Sequence, residues 1–157
     1  MEVGVISDTH GLLRPEAERA LLGVDLILHA GDVGAPEILT RLRAIAPVFA
    51  VRGNVDTAPW AAELPPTVVV EFGNVTFYML HNLRDLELKP QAAGFDAVIS
   101  GHTHQHQETM QNGVLYLNPG SAGPRRFNLP ITIARLRLDK KPLQPQILNL
   151  ETPSSPL

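Results

Sequence analysis

Short apolar runs alternate with helical patterns in the first third of the chain. The apolar runs cover residues 3–7, 25–29 and 47–51, and each leads into a glycine or a polar residue. Between them, two segments with apolar residues on one side predict helices, beginning near Pro15 and Pro36. Buried strands that alternate with amphipathic helices predict a parallel sheet with helices packed over it.

The pattern changes in the second half, where β-rich segments follow one another. Strands are expected there at residues 67–72, 75–81, 96–100, 107–111, 114–117, 131–138 and 145–149. The pairs Gly73 with Asn74 and Asn112 with Gly113 predict the turns of two hairpins. Because no linker or internal repeat divides the chain, we predict one domain over residues 1–150, followed by a flexible tail over residues 151–157.

Composition narrows the classes of function. The 157 residues carry a net charge of −3 with acids and bases interspersed, so no basic surface for duplex nucleic acid is expected. The chain has no cysteine, so a metal would need carboxylate, imidazole, amide or water ligands. No apolar run approaches the ~18 residues of a membrane span, and no signal-peptide pattern begins the chain. We therefore expect a cytoplasmic protein without membrane contact.

Polar side chains follow the ends of several predicted strands. In open α/β sheets, ligands bind beyond the carboxyl ends of the strands, so such residues converge on one site. Two further histidines, His10 and His104, lie two positions after the first and the last of these residues, Asp8 and His102. The set offers oxygen and nitrogen donors for two adjacent divalent metals that share one carboxylate. Its members are Asp8, His10, Asp32, Asn54, His81, His102 and His104.

Each motif also has a purely structural explanation. Asp8 could cap a turn, Asn54 and Asp56 favour turns through their own hydrogen bonds, and His81 could be a satisfied histidine at a strand end. The pair His102 and His104 is more specific, because in extended backbone both side chains would point to one side. Taken together the residues favour metal, since without it several acids and histidines would be crowded with no obvious partner.

In order and spacing, these motifs closely resemble the calcineurin-like metallophosphoesterase superfamily. The residues that carry the resemblance span positions 3–138, and Asn118-Pro119-Gly120-Ser121 is similar to the small bacterial and archaeal phosphodiesterase branch. The retromer scaffold subunit shares this fold. The resemblance implies a four-layer αββα sandwich of two mixed β-sheets flanked by helices, and an enzyme that hydrolyses phosphoric esters.

The resemblance also assigns ligands to two divalent metal ions. Asp8, His10 and His104 would hold one ion, Asn54, His81 and His102 the other, and Asp32 would bridge them. Manganese is favoured, with iron, nickel, cobalt and zinc as alternatives. Asp32, Asn54 and His102 would also contribute to catalysis, in which a hydroxide between the metals attacks phosphorus in line. Members of the superfamily often form dimers or tetramers, so a homo-oligomer is also considered.

One departure from the superfamily pattern bears on the substrate. In the protein phosphatase and nuclease branches, a histidine that aids the leaving group follows the Gly-Asn pair, whereas this chain has Val55 and Asp56. This difference favours a phosphodiester, either a small molecule or a nucleotide, over a monoester. The alternative is a non-catalytic scaffold that binds partner proteins. Such scaffolds typically lose ligands, and this chain keeps all seven.

Several other residues have open roles. His29 is either a hydrogen-bond partner of a ligand or a structural histidine, and His106 is expected to point past the site. Arg125 or Arg126 could contact a substrate phosphate, or both could lie in solvent. Trp60 could stack on an aromatic group of the substrate or be buried, and Asn118 and Ser121 are expected to shape the loop under the site.

Overall fold

The computed structural model describes residues 1–151. The strands are β1 (Glu2–Ile6), β2 (Leu26–His29), β3 (Val48–Ala50), β4 (Thr67–Phe72), β5 (Val75–Leu80), β6 (Ala97–Ile99), β7 (Gln107–Gln111), β8 (Val114–Asn118), β9 (Thr132–Arg137) and β10 (Pro145–Asn149). The helices are α1 (Pro15–Ala20), α2 (Pro36–Arg43) and α3 (Pro90–Ala93), with 3₁₀ turns at Pro59–Glu63 and Leu83–Asp85. Apart from Glu151, the predicted tail lies outside the described residues.

The first sheet has the order β10-β9-β1-β2-β3. Its strands β1, β2 and β3 are parallel, as the alternation of strands and helices predicts, with Val5 opposite Leu28 and Leu28 opposite Phe49. The strands β9 and β10 add an antiparallel edge. Both helices of the first third begin at their predicted prolines, where the missing N–H costs nothing because the first turn has no acceptor for it.

The second sheet has the order β4-β5-β6-β8-β7. The predicted hairpins are confirmed: β4 pairs with β5 across Gly73 and Asn74, and β7 pairs with β8 across Asn112 and Gly113. Strands β5, β6 and β8 are parallel to one another. The strands that lead to the candidate ligands are therefore parallel within each sheet, which brings their carboxyl ends to shared edges.

Two apolar clusters hold the layers together. One lies between the sheets and includes Val5, Leu28, Phe77 and Leu117, all buried. The other lies on the opposite face of the first sheet, where α1 and α2 pack. Burying such side chains stabilises the fold by roughly 1.5–3 kcal/mol each.

The fourth layer of the sandwich is thin. Among the described residues, the apolar cluster on the outer face of the second sheet consists of the strand residues Leu80, Val98 and Val114, with Tyr78, Leu86 and Tyr116 packed against it. The expected four-layer arrangement of two mixed sheets is confirmed, and the segment between β5 and β6 forms one 3₁₀ turn and the single-turn helix α3. None of the helices in residues 1–151 has the length and hydropathy needed to span a membrane. The assignment of residues 1–150 to one domain stays a prediction.

Candidate metal centre

The structure brings all seven predicted ligands to one edge of the sandwich. Asp8 follows β1, Asp32 follows β2, His81 follows β5, and these three side chains are buried. His104 is also buried and His10 is half-buried. Asn54 and His102 are exposed, so they form the solvent-facing rim of the cluster.

One carboxylate oxygen lies at the middle of the cluster. Asp8 Oδ1 is 3.8 Å from His10 Nε2, 3.8 Å from His81 Nε2 and 3.5 Å from His104 Nε2. The other oxygen, Oδ2, accepts hydrogen bonds from Ser7 Oγ at 2.8 Å and from the backbone N–H of His102 at 3.1 Å. Asp8 is therefore held by its outer oxygen, while its inner oxygen faces three imidazoles.

Asp32 faces two of these imidazoles from the neighbouring strand. Its Oδ2 lies 3.5 Å from His10 Nε2 and 3.1 Å from His81 Nε2, and its Oδ1 accepts a hydrogen bond from the N–H of Val55 at 3.0 Å. Burial raises the pKa of Asp32, but His81 and the Val55 N–H outweigh this effect and lower that pKa to about 2. Asp32 is thus a carboxylate throughout the physiological pH range.

His81 has one ring nitrogen fixed by the backbone. Its Nδ1 lies 2.7 Å from the carbonyl oxygen of Ala30, to which it donates a hydrogen bond, and its Nε2 is directed at the two aspartates. A carbonyl partner on the outer nitrogen is the usual way in which a metal-binding histidine is oriented. Burial lowers the pKa of His81, whereas Asp32 and the Ala30 carbonyl raise it, and the net shift is upward.

The donor set fits divalent metal ions. Asp8 Oδ1 and His81 Nε2 are buried, and neither has a partner in hydrogen-bonding geometry among residues 1–151. Such groups are costly unless something compensates them. Two carboxylate–imidazole sets have mutually close ligand atoms: Asp8 with His10 and His104, and Asp8 with Asp32 and His81. Near them, Asn54 Oδ1 lies 3.3 Å from His102 Nδ1 on the rim.

The backbone around these ligands is strained. Eight described residues other than glycine have positive φ, and five of them are candidate ligands with φ between 47° and 76°. A left-handed conformation costs an L-residue roughly 1–2 kcal/mol and persists only where the surroundings enforce it. The concentration of such residues at one place indicates a functional site rather than a set of ordinary turns. The five are Asp8, His10, Asp32, His102 and His104.

This backbone corrects one expectation from the sequence. His102 and His104 were expected in extended backbone with both side chains on one side, but their φ angles are 76° and 65°. The chain bends between β6 and β7, and the two rings diverge. His102 faces Asn54, whereas His104 lies beside His10, with 3.3 Å between their Nε2 atoms. The alternation of extended backbone does not apply to a bend, which is why the expectation was wrong.

Residues at the end of β8 and in the loop after it hold the ligand loops in place. Asn118 Nδ2 donates to the carbonyl of Gly101 at 2.9 Å and lies 3.1 Å from Thr103 Oγ1. Ser121 Oγ donates to the carbonyl of Asp8 at 3.1 Å. Asn118 and Ser121 therefore fix the backbone on both sides of the cluster, as expected for residues that shape this loop.

Asp56 has a structural role that the sequence did not reveal. Its buried carboxylate accepts hydrogen bonds from the backbone N–H groups of Val33 at 3.1 Å, Gly34 at 2.9 Å and Gly53 at 2.9 Å. It joins the loop of Asp32 to the loop of Asn54. The only signal in the sequence is an aspartate two positions after Asn54, and such residues are common in ordinary loops.

His29 lies behind the cluster and is fully buried. Its Nε2 lies 3.0 Å from Thr9 Oγ1, which itself donates to the carbonyl of Val33, so Nε2–H must be the donor. Its Nδ1 accepts from the N–H of Gly31 at 3.2 Å. Both ring nitrogens are thus satisfied in the neutral form. Burial lowers the pKa of His29 to about 4, although Asp8 and Asp56 act in the opposite direction.

The neutral His29 predicts a loss of stability in acid. Its pKa rises from about 4 in the folded chain to the ordinary 6.5 in the unfolded chain, so between these values the unfolded chain binds more protons. The free energy of unfolding should therefore fall as pH is lowered from 6.5 to 4, by roughly 3 kcal/mol from this residue. Urea unfolding of chelator-treated protein at several pH values measures the slope.

A variant without this titration separates the contribution of His29 from that of other groups. His29→Gln should have a shallower pH dependence than the original chain. His106→Gln is the matched control: it removes an imidazole that is exposed in the folded chain, so at neutral pH it should leave the free energy of unfolding close to that of the original chain. Equal slopes for His29→Gln and the original chain would contradict the assignment.

The loop arginines and the tryptophan lie around the cluster. Arg125 pairs with Glu151 and donates to the carbonyl of Leu129. The positive charge of Arg126 acts on His104: burial is the main cause that lowers the pKa of His104, Arg126 lowers it further, and Asp8 acts in the opposite direction. Trp60 is half-buried and packs on the apolar cluster under α1 and α2.

Comparison with known proteins agrees with this geometry. The family model described as a calcineurin-like phosphoesterase superfamily domain matches residues 1–141. The chain belongs to the calcineurin-like phosphoesterase superfamily. It is 36% identical to a probable metallophosphoesterase of Methanothermobacter thermautotrophicus, in an alignment that covers 98% of this chain and 95% of the relative. The resemblance stated from the sequence motifs is confirmed.

Solved structures show the same fold. An archaeal phosphodiesterase superposes with a TM-score of 0.79 at 25% identity, covering 94% of this chain and 100% of that one. Vps29 of Entamoeba histolytica in complex with zinc superposes with a TM-score of 0.72 at 24% identity, covering 96% and 99%. The superfamily fold thus occurs in both an enzyme and Vps29.

Proposed function

We propose that this protein is a two-metal phosphodiesterase. The observation that carries the proposal is the buried Asp8 Oδ1, which lies within 3.8 Å of three histidine Nε2 atoms and has no hydrogen-bond partner in the part of the chain that the structure describes. Asp8, His10 and His104 would hold one divalent ion, Asn54, His81 and His102 the other, and Asp32 would bridge them. When bound, the ions would supply an activated water and neutralise charge on the phosphoryl oxygens. Manganese is the ion that we favour.

The residues of the chain itself prepare this site. Asp56 and Val55 hold the loops of Asp32 and Asn54 through backbone N–H groups, and Asn118 holds the loop of His102. Precise placement matters because the reaction depends on fixed geometry between the attacking water and phosphorus. The exposed rim of Asn54 and His102 gives substrate access to an otherwise buried cluster.

A diester substrate is favoured by the residue after Asn54. Val55 carries no proton donor, and it is 43% exposed at the position where the protein phosphatase and nuclease branches of the superfamily have a histidine that aids the leaving group. A general acid contributes about 10²–10⁴-fold to such reactions. The similarity to an archaeal phosphodiesterase supports the same preference. The retained ligand set favours hydrolysis over a scaffold role.

The test compares two chromogenic substrates with the same leaving group. With manganese added, the protein should hydrolyse bis(p-nitrophenyl) phosphate about tenfold faster, or more, than p-nitrophenyl phosphate, because the residue after Asn54 supplies no general acid. Release of nitrophenol is followed by absorbance, with a chelator as the control. Equal or faster turnover of the monoester would contradict the diester preference. No turnover of either substrate with any divalent ion would overturn the proposal.

A further inference from the structure

A groove of about 660 Å³ opens from the candidate metal centre onto the outer face of the second sheet. His102 and Thr103 lie at one end, and the groove runs over β7 and β8 beneath the turn at Leu83. It exists because the fourth layer of the sandwich is thin and leaves this part of the sheet uncovered. The volume is that of a typical small-molecule site.

The strand register determines which side chains face the groove. Thr109 lies opposite Tyr116, and successive residues of a strand point to opposite faces. Leu115 and Leu117 belong to the core between the sheets, so Tyr116 faces outward, together with Gln107, Thr109 and Gln111 on β7. This part of the groove is therefore lined by the ring of Tyr116, the amides of Gln107 and Gln111 and the hydroxyl of Thr109.

These groups match a nucleobase. A half-buried tyrosine offers a flat face for stacking, and glutamine amides provide both donors and acceptors for the edges of a base. The exposed Arg84 adds a positive charge at the groove, and no carboxylate lies among the described residues that line it. A phosphorylated ligand would therefore meet no like charge on this surface.

We propose that the groove binds the nucleobase of a nucleotide phosphodiester whose phosphate is held at the candidate metal centre. The inference rests on the proposed function for the position of the phosphate and adds the class of the attached group. Tyr116 would stack on the base, and Gln107 or Gln111 would bind its edge. His102, which belongs both to the rim of the centre and to the groove, connects the two.

The test measures binding without requiring turnover. Adenosine 5′-monophosphate and ribose 5-phosphate share the sugar and the phosphate, so the ratio of their dissociation constants isolates the base. By calorimetry on the manganese-loaded protein, the adenosine compound should bind at least about tenfold more tightly, the gain expected of one stacked base. Tyr116→Leu should reduce this ratio to less than about threefold.

A second tyrosine on the same face provides the control. Tyr78 stacks on Phe95, with 5.0 Å between ring centroids, and does not line the groove. Tyr78→Leu should therefore keep the ratio of the original chain. Equal affinity for the two ligands in the original chain would overturn the inference, as would an equal loss in the Tyr78 and Tyr116 variants.

Different results would overturn the proposed phosphodiesterase activity and the proposed nucleobase groove. A protein that hydrolyses the chromogenic diester but binds both ligands equally would overturn the groove and leave the phosphodiesterase intact. A protein that prefers the adenosine compound through Tyr116 but hydrolyses no diester would support the groove and overturn the hydrolase.

Discussion

Asp32→Ala should lower the turnover of a chromogenic phosphodiester at least about a thousandfold, equivalent to about 4 kcal/mol of transition-state stabilisation. The carboxylate lies 3.1 Å from His81 Nε2 and 3.5 Å from His10 Nε2, and these two imidazoles are assigned to different ions, so its loss should affect both halves of the cluster. Steady-state kinetics with added manganese measure the loss. Metal analysis of the purified variant should show reduced manganese.

The control is an aspartate far from the cluster. Asp139 is exposed and pairs with Arg137, so Asp139→Ala should retain both turnover and metal. Because a ligand that binds only the folded chain stabilises it, manganese should raise the melting temperature of the original chain and of Asp139→Ala, but not of Asp32→Ala. If Asp32→Ala kept more than about a tenth of the activity, its place in the proposed centre would be wrong.

Most of the fold follows from patterns that act locally. The prolines at positions 15 and 36 begin helices because an N–H is not needed there, and the Asn112-Gly113 turn forms a hairpin because both residues tolerate positive φ. The strand ends then follow from the apolar runs to within one or two residues. The thin fourth layer could not be predicted in this way, because it depends on how far segment 81–96 covers the second sheet.

The candidate site, too, has features that could be predicted from the sequence and features that could not. That seven polar residues converge could be predicted, because parallel strands deliver their ends to one edge. The directions of the side chains could not, since they depend on left-handed backbone at residues such as His102 and His104, which only tertiary contacts enforce. The role of Asp56 depends on N–H groups of Val33 and Gly34, more than twenty positions earlier, and no local pattern reports such a contact.

Gly34→Ala should be strongly destabilising because of a close approach between two loops of the centre. Gly34 has a φ of +92°, and a Cβ there would lie 2.2 Å from the nitrogen of Gly11 and 2.4 Å from the carbonyl carbon of His10. Both contacts are with backbone, which cannot rotate away. Left-handed strain and overpacking together predict a loss of at least about 3 kcal/mol in the free energy of unfolding, measured in urea.

The variant Gly94→Ala separates the free-energy cost of the steric overlap from that of the backbone strain. Gly94 has a φ of +81° at the end of α3, but a Cβ there would have nothing within 4 Å, so the strain alone should cost about 1 kcal/mol. The excess loss in Gly34→Ala then measures the contact between the loops of His10 and Asp32. Manganese affinity should fall in the Gly34 variant only, since that overlap displaces two candidate ligands. Equal losses of stability in both variants would mean that the loops can separate freely, and the rigid placement inferred for the centre would not hold.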